Sequence, residues 1–365
     1  MIKSRQLILL LTFFVCFQLK AADSLDVMIG QMIMIGLGDF NTLDKNQPIF
    51  EELKEGRAGG IILFEKNLSK KNTREELISL LKYCQKQAQI PLFVSIDEEG
   101  GRVTRLKTQY GFPKTVNASY LGELNDLDST KYYASSRAVL LHDLGFNMNF
   151  APCVDVNVNP DNPVIGKLGR SYSASEVEVA KQAMEVIKAY NDQNVVTVLK
   201  HFPGHGSSQN DSHLGIADVS NTWEFRELYP YKVLIDSGVV KTIMSAHIVN
   251  RSLDSDLLPG TLSRQVISYL LRDFLGFQGL VVSDDLQMKA IADHYGLHET
   301  IKLGINAGLD LLLFANNVPE HQRVTASQVQ EMIKSMVESG EISQDRIKES
   351  YQRIMNLKSN IGLIE

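Results

Sequence analysis

Three of the chain's eight histidines fall within thirteen residues, in the stretch KHFPGHGSSQNDSH that begins at Lys200. They are His201, His205 and His213. An imidazole can act as an acid, a base or a metal ligand near neutral pH. Asp211 precedes His213 by two residues, so in an extended loop both side chains share one side and the carboxylate can fix the imidazole tautomer. Taken by itself, the stretch also fits a solvated loop.

A zinc site is the first alternative for this stretch. The histidines and Asp211 could supply ligands for Zn²⁺. However, Pro203 and Gly204 separate His201 from His205 and exclude the helical face on which HExxH sites hold their metal. No CxxC or HxH pair occurs in the chain. The spacing therefore argues against a metal site.

Carboxylates offer a second kind of chemistry. Asp284 and Asp285 end an apolar run in the sequence SDD. A carboxylate in that position can act as a nucleophile or stabilise a cation. Retaining glycosidases use such a carboxylate together with a proton donor across the scissile bond. His213 could be that donor without a large change in its pKa.

Two further stretches carry groups that could bind a sugar. IDEEGGRVTRL contains Asp97 and Arg105, and GKLGRSYS contains Arg170 between glycines. An aspartate can accept hydrogen bonds from a pair of hydroxyls, and a guanidinium can hold a hydroxyl or carbonyl with its fork. For Arg170, a solvated arginine in a turn is the simpler alternative.

Short apolar runs alternate with helical patterns along the chain. Most of the runs lack apolar–polar alternation, as expected of parallel strands buried on both faces. Eight strands alternating with helices predict a single α/β domain with a (β/α)₈ TIM-type barrel, and an open doubly wound sheet is the alternative. Catalytic groups are then expected where the strands end. The eight runs are residues 28–37, 58–64, 91–97, 146–156, 195–202, 240–247, 279–285 and 308–316.

The helical patterns carry their own start and end signals. Thr73 is followed three residues later by Glu76 and then by a leucine-rich face, which resembles a capping box. The cysteines Cys84 and Cys153 are isolated in the sequence and predict free, buried thiols.

The composition and the first residues bear on location. The net charge of −6 and the absence of a basic stripe argue against a nucleic-acid partner.

The basic start MIKSRQ precedes an apolar centre, residues 7–17, and then Ala21 and Ala22. This order predicts a secretory signal peptide at residues 1–22 and a barrel domain at residues 23–365. The apolar centre is short for a bilayer span, so no stable membrane insertion is expected after cleavage. We expect an exported, periplasmic protein that is a monomer.

Four motifs together resemble a known family. IDEEGGRVTRL, GRSYS, KHFPGHG followed by DSH, and SDDLQM occur in this order. They resemble glycoside hydrolase family 3, in its β-N-acetylglucosaminidase branch, over essentially the whole mature chain. The resemblance implies a (β/α)₈ barrel and a retaining β-N-acetylhexosaminidase without metal or cofactor. The implied substrate is a terminal β-linked GlcNAc on peptidoglycan fragments (muropeptides) or related glycans.

The resemblance also implies roles for individual residues. Asp284 matches the nucleophile, and His213, paired with Asp211, matches the general acid/base. The loop from Pro203 to about residue 218 is expected to move, helped by its glycines and serines. Ser207 and Ser208 stand where relatives commonly have an Asp-Thr pair. The residues that match sugar-binding positions of subsite −1 are Asp97, Arg105, Arg170, Lys200 and His201; His247 and Met288 match the pocket floor, and His205 a structural position.

Other functions remain open at this stage. A β-glucosidase or a GlcNAc phosphorylase of the same family would use a similar barrel. A non-catalytic sugar-binding barrel would be expected to lack Asp284 or His213, and both are present. A metallohydrolase would be expected to lose activity to a chelator.

Overall fold

The computed structural model describes residues 24–211 and 214–365. The expected signal peptide at residues 1–22 and the expected acid/base His213 lie outside the described residues.

Eight parallel strands form one sheet that closes into a barrel. The neighbour order is β10-β1-β2-β3-β4-β5-β7-β9, and the remaining strands β6 and β8 pair with each other beside it. In chain order the strands are β1 Ile33–Gly36, β2 Gly60–Leu63, β3 Phe93–Ile96, β4 Met148–Asn149, β5 Val196–Phe202, β6 Ala217–Asp218, β7 Thr242–Ser245, β8 Ile248–Val249, β9 Leu280–Ser283 and β10 Leu312–Phe314.

Register and burial explain why the ring closes. Met34 of β1 lies opposite Gly60 of β2 on one side and Leu313 of β10 on the other. A parallel bridge between Val282 and Leu311 then joins the last two strands. Every residue of the eight strands is buried, as their continuous apolar sequences require. The predicted (β/α)₈ barrel is confirmed, and each of the eight apolar runs contains one strand.

Helices surround the barrel. Between β7 and β9 the connecting helix Gln265–Phe274 is π-helical. No helix within the described ranges is both long and apolar enough to cross a bilayer. The α-helices are α1 Leu25–Gln31, α2 Pro48–Lys54, α3 Thr73–Gln87, α4 Ala118–Leu124, α5 Leu127–Leu144, α6 Glu176–Asn191, α7 Tyr229–Asp236, α8 Lys289–Ala292, α9 Leu297–Ala307, α10 Ala326–Glu338 and α11 Gln344–Asn360.

Local structure departs from the sequence prediction at two helix ends. The first apolar run begins inside α1, because Ser24 caps that helix by accepting a hydrogen bond from the backbone N–H of Val27. Asn72, in a left-handed conformation, precedes α3 without a side-chain cap. Thr73 is buried and its hydroxyl donates to the Ser69 carbonyl at 2.6 Å, so the predicted capping box is wrong.

The core contains both described cysteines and one lysine. Cys84 and Cys153 are free and buried, as predicted. Lys358 of α11 is fully buried, and its ammonium donates to Gln31 Oε1 at 2.6 Å and to the Gly59 carbonyl at 3.0 Å. These acceptors are neutral, so burial lowers the pKa of Lys358 to about 7.

Candidate active site

A cleft of about 310 Å³ opens where the barrel strands end. Its size suits one sugar ring. It brings together most of the residues that the sequence singled out, although they are far apart along the chain. The charged and polar lining includes Asp97, Arg105, Arg170, Lys200, His201, Asp284 and Asp285, and the apolar lining includes Phe64, Phe150 and Met288.

Asp97 follows β3 and joins two cations. One carboxylate oxygen accepts a hydrogen bond from Lys200 Nζ at 2.8 Å, and the other accepts one from Arg105 at 3.3 Å. Burial alone would raise the pKa of Asp97, but Lys200 and Arg105 more than offset it, so the pKa is lowered. Arg105 also lies 5.8 Å from the centre of the Phe64 ring. Asp97 is therefore an ionised acceptor at the strand ends.

Glu99, which the sequence analysis did not single out, is the centre of the same network. Its carboxylate accepts two hydrogen bonds from Arg170, at 2.7 and 2.9 Å, and pairs with Lys200 Nζ at 2.6 Å. All three side chains are at most 10% exposed. Burial would raise the pKa of Glu99, yet the two cations hold it well below its usual range. Burial also disfavours the Lys200 ammonium, but Asp97 and Glu99 raise its pKa overall.

The hydrogen bonds of His201 fix its tautomer. Its Nε2 lies 3.1 Å from an Arg170 nitrogen, and its Nδ1 lies 2.7 Å from the Asp155 carboxylate. Arginine only donates hydrogen bonds, so Nε2 is the acceptor and Nδ1 carries the proton given to Asp155. His201 lines the cleft, but both ring nitrogens are engaged. Its role in this arrangement is to orient Arg170.

Asp155 is a second residue that the sequence analysis did not single out. It is fully buried, and it accepts hydrogen bonds from the backbone N–H groups of His201 and His205. Burial would raise the pKa of Asp155, but His201 and His205 lower it far below its usual range. The pKa of His205 is lowered to about 4 by burial first and then by the neighbouring His201. Asp155 thus joins the loop after β4 to the end of β5.

A metal could in principle bind beside this carboxylate. Ligand atoms of Cys153, Asp155 and His201 lie within 4.8 Å of one another. The Cys153 thiol donates to Asp155 at 3.1 Å, and burial raises its pKa well above the usual value. A metal would need the thiolate and would displace the hydrogen bonds from Cys153 and His201. We therefore interpret the cluster as a hydrogen-bonded network.

The opposite side of the cleft carries the paired aspartates after β9. Asp284 is half-buried and accepts a hydrogen bond from the Asp285 backbone N–H at 2.8 Å. Asp285 accepts from the N–H groups of Gln287 and Ala315, so it ties this turn to β10, and both aspartates line the cleft. His247 is buried below them and its Nε2 donates to the Asp285 carbonyl at 2.9 Å. It supports the turn, whereas Met288 lines the pocket as expected.

The start of the predicted acid/base loop is packed tightly. Ser207 and Ser208 are buried, and Asn162 donates to the His205 carbonyl at 2.7 Å. A Cβ on Gly206 would lie 1.7 Å from the Val156 carbonyl oxygen, so this glycine permits close packing. Residues 203–208 are buried, and the motion expected of the loop stays a prediction. Asp211 is described, and its neighbour His213 is not.

Comparison with known proteins identifies the family. Residues 24–357 match the model of the glycosyl hydrolase family 3 N terminal domain. The chain is 35% identical to beta-hexosaminidase A of Pseudoalteromonas piscicida over 83% of its own length and 53% of that protein's. It is 34% identical to a beta-hexosaminidase of Tolumonas auensis over 73% of its length and 78% of that protein's.

A solved structure shares both the fold and much of the sequence. It is a glycoside hydrolase family 3 beta-N-acetylglucosaminidase from Paenibacillus sp. FPU-7, with a TM-score of 0.85 and 36% identity. The match covers 94% of this chain and 63% of that one. The chain therefore spans roughly half to two thirds of some longer relatives and most of others. The barrel, the cleft and these matches together show that this chain belongs to glycosyl hydrolase family 3.

Proposed function

We propose that this chain is a retaining exo-β-N-acetylglucosaminidase that removes terminal β-linked GlcNAc from peptidoglycan fragments or related glycans. The observation that carries the proposal is one cleft in which Asp284 faces a fixed array of charges on Asp97, Lys200 and Arg170. Membership of the family supports a glycoside hydrolase, and the relatives named beta-hexosaminidase support the N-acetylated sugar.

In the first chemical step, Asp284 attacks the anomeric carbon of the bound sugar. A bond forms between the carboxylate and that carbon as the bond to the leaving oxygen breaks. His213, with Asp211 as its partner, gives a proton to the leaving oxygen. The product of this step is a covalent glycosyl-enzyme and a released alcohol or sugar.

In the second step, His213 takes a proton from water, and the water oxygen attacks the anomeric carbon. Asp284 leaves as a carboxylate. Two displacements at the same carbon restore the original configuration, so the first-formed sugar is the β anomer. Apart from the water and the substrate, the groups that react in both steps are side chains of this chain.

The charged network holds the sugar in place for this attack. Asp97 can accept hydrogen bonds from hydroxyls, while Lys200, Arg105 and Arg170 can donate to them. Each of these side chains is already held by a partner, so little ordering is needed when the sugar binds. A prepositioned clamp of this kind lowers the barrier by keeping the reacting atoms in line.

Location and assembly belong to the same proposal. The basic and apolar start of the chain supports export, and we place the enzyme in the periplasm as a monomer. There it would meet wall fragments with terminal GlcNAc, which the proposed exo activity can shorten one sugar at a time.

The direct test compares 4-nitrophenyl β-GlcNAc with the matching β-glucoside. The wild type is expected to hydrolyse the GlcNAc compound, and Asp284→Ala to lose that activity. His213→Ala should lose less activity on the aryl substrate than on a GlcNAc disaccharide, because a good leaving group needs little protonation in the first step. Asp236→Asn, a carboxylate paired with Lys232 on the surface of α7, is the control and should match the wild type.

Other outcomes would contradict parts of the proposal. Preference for the glucoside would assign a β-glucosidase. Release of GlcNAc 1-phosphate in phosphate buffer would assign a phosphorylase. An α-configured first product in an early proton NMR spectrum would rule out the double displacement on Asp284.

A further inference from the structure

A short segment before α7 packs beneath the start of the acid/base loop. The Glu227 carboxylate accepts hydrogen bonds from the backbone N–H of Ser207 at 3.2 Å and of Glu224 at 3.1 Å. The indole N–H of Trp223 donates to the Pro203 carbonyl at 3.2 Å. A Cβ on Gly204 would lie 2.7 Å from Glu227 Cβ, so the loop backbone lies directly against this side chain.

Glu227 is a buried acid without a salt-bridge partner. It is 0% exposed, and among the described residues it forms no ion pair with a lysine, arginine or histidine. Burial first, and then the nearby Asp155 carboxylate, raise the pKa of Glu227 to about 7. The other groups that face it are the Tyr231 phenol of α7, whose pKa is itself raised, and Ser207. A buried carboxylate without a cation beside it costs stability, so its contacts with the loop are maintained against that cost.

The loop start is therefore held from two sides. On one side Asp155 binds the His205 N–H, and Asn159 donates to the Ser208 carbonyl at 2.9 Å. On the other side, Trp223 donates to the Pro203 carbonyl and Glu227 accepts from the Ser207 N–H. Without Glu227, the buried N–H of Ser207 would have no acceptor, and the loop would shift to find one.

We propose that Glu227, assisted by Trp223, is a positioning residue for the reaction, because it fixes the backbone at Ser207 and so directs the chain that leads to the general acid/base. The inference rests on the proposed function. Ser207 precedes His213 by six residues. The sugar clamp of Asp97, Lys200 and Glu99 has no hydrogen bond to Glu227, so the clamp and the loop can be disturbed separately.

This separation predicts a dependence on the leaving group. An aryl leaving group departs with little proton assistance, whereas a sugar needs a well-placed acid. Glu227→Gln keeps the size of the side chain but removes its charge. We expect kcat/KM to fall about tenfold or more on a GlcNAc disaccharide. This loss is a part of the roughly 10²–10⁴-fold acceleration that general acid catalysis contributes. On 4-nitrophenyl β-GlcNAc it should change by less than about threefold.

The pH profile provides a second readout. The ionised carboxylate can accept both N–H groups, whereas the protonated form resembles glutamine and holds them less well. The ratio of wild-type to Glu227→Gln activity on the disaccharide should therefore be close to one at pH 5 and should rise through pH 7. An altered fold would lower activity at every pH alike.

The experiment measures kcat and KM on both substrates between pH 5 and 8 for four proteins. They are the wild type, Glu227→Gln, Trp223→Phe, which keeps a ring but loses the indole donor, and the Asp236→Asn control. Trp223→Phe should show the same leaving-group dependence, and it tests the idea even if Glu227→Gln does not fold. Equal losses on both substrates, or no loss on either, would overturn the positioning role. A wild type inactive on both substrates would instead refute the proposed function, and this inference with it.

Discussion

Replacing Glu99 with glutamine should damage both stability and activity. The network contains two carboxylates, Asp97 and Glu99, and three cations, Arg105, Arg170 and Lys200. Glu99→Gln leaves one carboxylate to balance the three cations. Removing one partner of a buried ion pair typically lowers the free energy of unfolding by about 3–5 kcal/mol. We expect a loss in that range, because Lys200 is only 3% exposed and cannot turn to water.

Urea denaturation at pH 7 measures the loss, with Glu178→Gln as the control. Glu178 pairs with Lys181 at 2.9 Å on the surface of α6, where such pairs contribute about 1 kcal/mol or less. The depressed pKa of Glu99 gives the sign of the pH effect. The wild-type advantage is complete above the unfolded-state pKa of 4.5 and shrinks as the pH falls below it.

Activity should fall with stability, for a geometric reason. Without Glu99, Arg170 and Lys200 repel each other and separate, and a displacement of about 1 Å at a reacting centre can lower the rate about 10²-fold. A variant as stable and active as Glu178→Gln would refute the view that Glu99 organises the clamp.

Two other predictions concern the barrel core and the loop start. The pKa of Lys358, lowered from 10.5 to about 7, implies that the free energy of unfolding rises from pH 7 to 9 by about 2 kcal/mol, because the unfolded state binds more protons in that interval. Lys358→Met should remove this slope in denaturation curves, and an unchanged slope would contradict the assignment. Gly206→Ala forces the backbone away from Val156 and should lower stability by about 1–3 kcal/mol and reduce hydrolysis of the disaccharide. Gly296→Ala, where a Cβ would meet no atom within 4 Å, should be neutral in the same assays, and equal behaviour of the two variants would refute the packing argument.

The barrel could be predicted from the sequence because its strands are buried on both faces. Continuous apolar runs such as residues 195–202 and 308–316 can be recognised without knowledge of their neighbours. Polar residues at the ends of those runs indicated the cleft, since parallel strands end on the same side. Asp97, Lys200 and Asp284 were found in this way.

The supporting residues could not be predicted as easily. Glu99 follows two other acids, and only the fold shows that Asp97 and Glu99 contact Lys200 whereas Glu98 accepts from backbone N–H groups. Asp155 stood inside an apolar run, where an acid is unusual, and that was a usable signal. No comparable signal in the sequence indicated Glu227 or Lys358. Both lie in helical segments with a polar side, and only the packing of the fold shows that these two side chains are buried. The close packing of Gly206 could not be predicted either, since glycine permits close packing as readily as it permits motion.

The hydrogen bonds between neighbouring βα loops have a consequence for protein engineering. Each member of the network is a buried or half-buried charge or donor whose partner is another member, so a substitution at one position leaves the next unsatisfied. Single changes should be strongly non-additive, and a charged network of this type can be transplanted to another barrel only as one block. That block draws on three consecutive strand ends and comprises Asp97, Glu99, Arg105, Asp155, Arg170, Lys200 and His201.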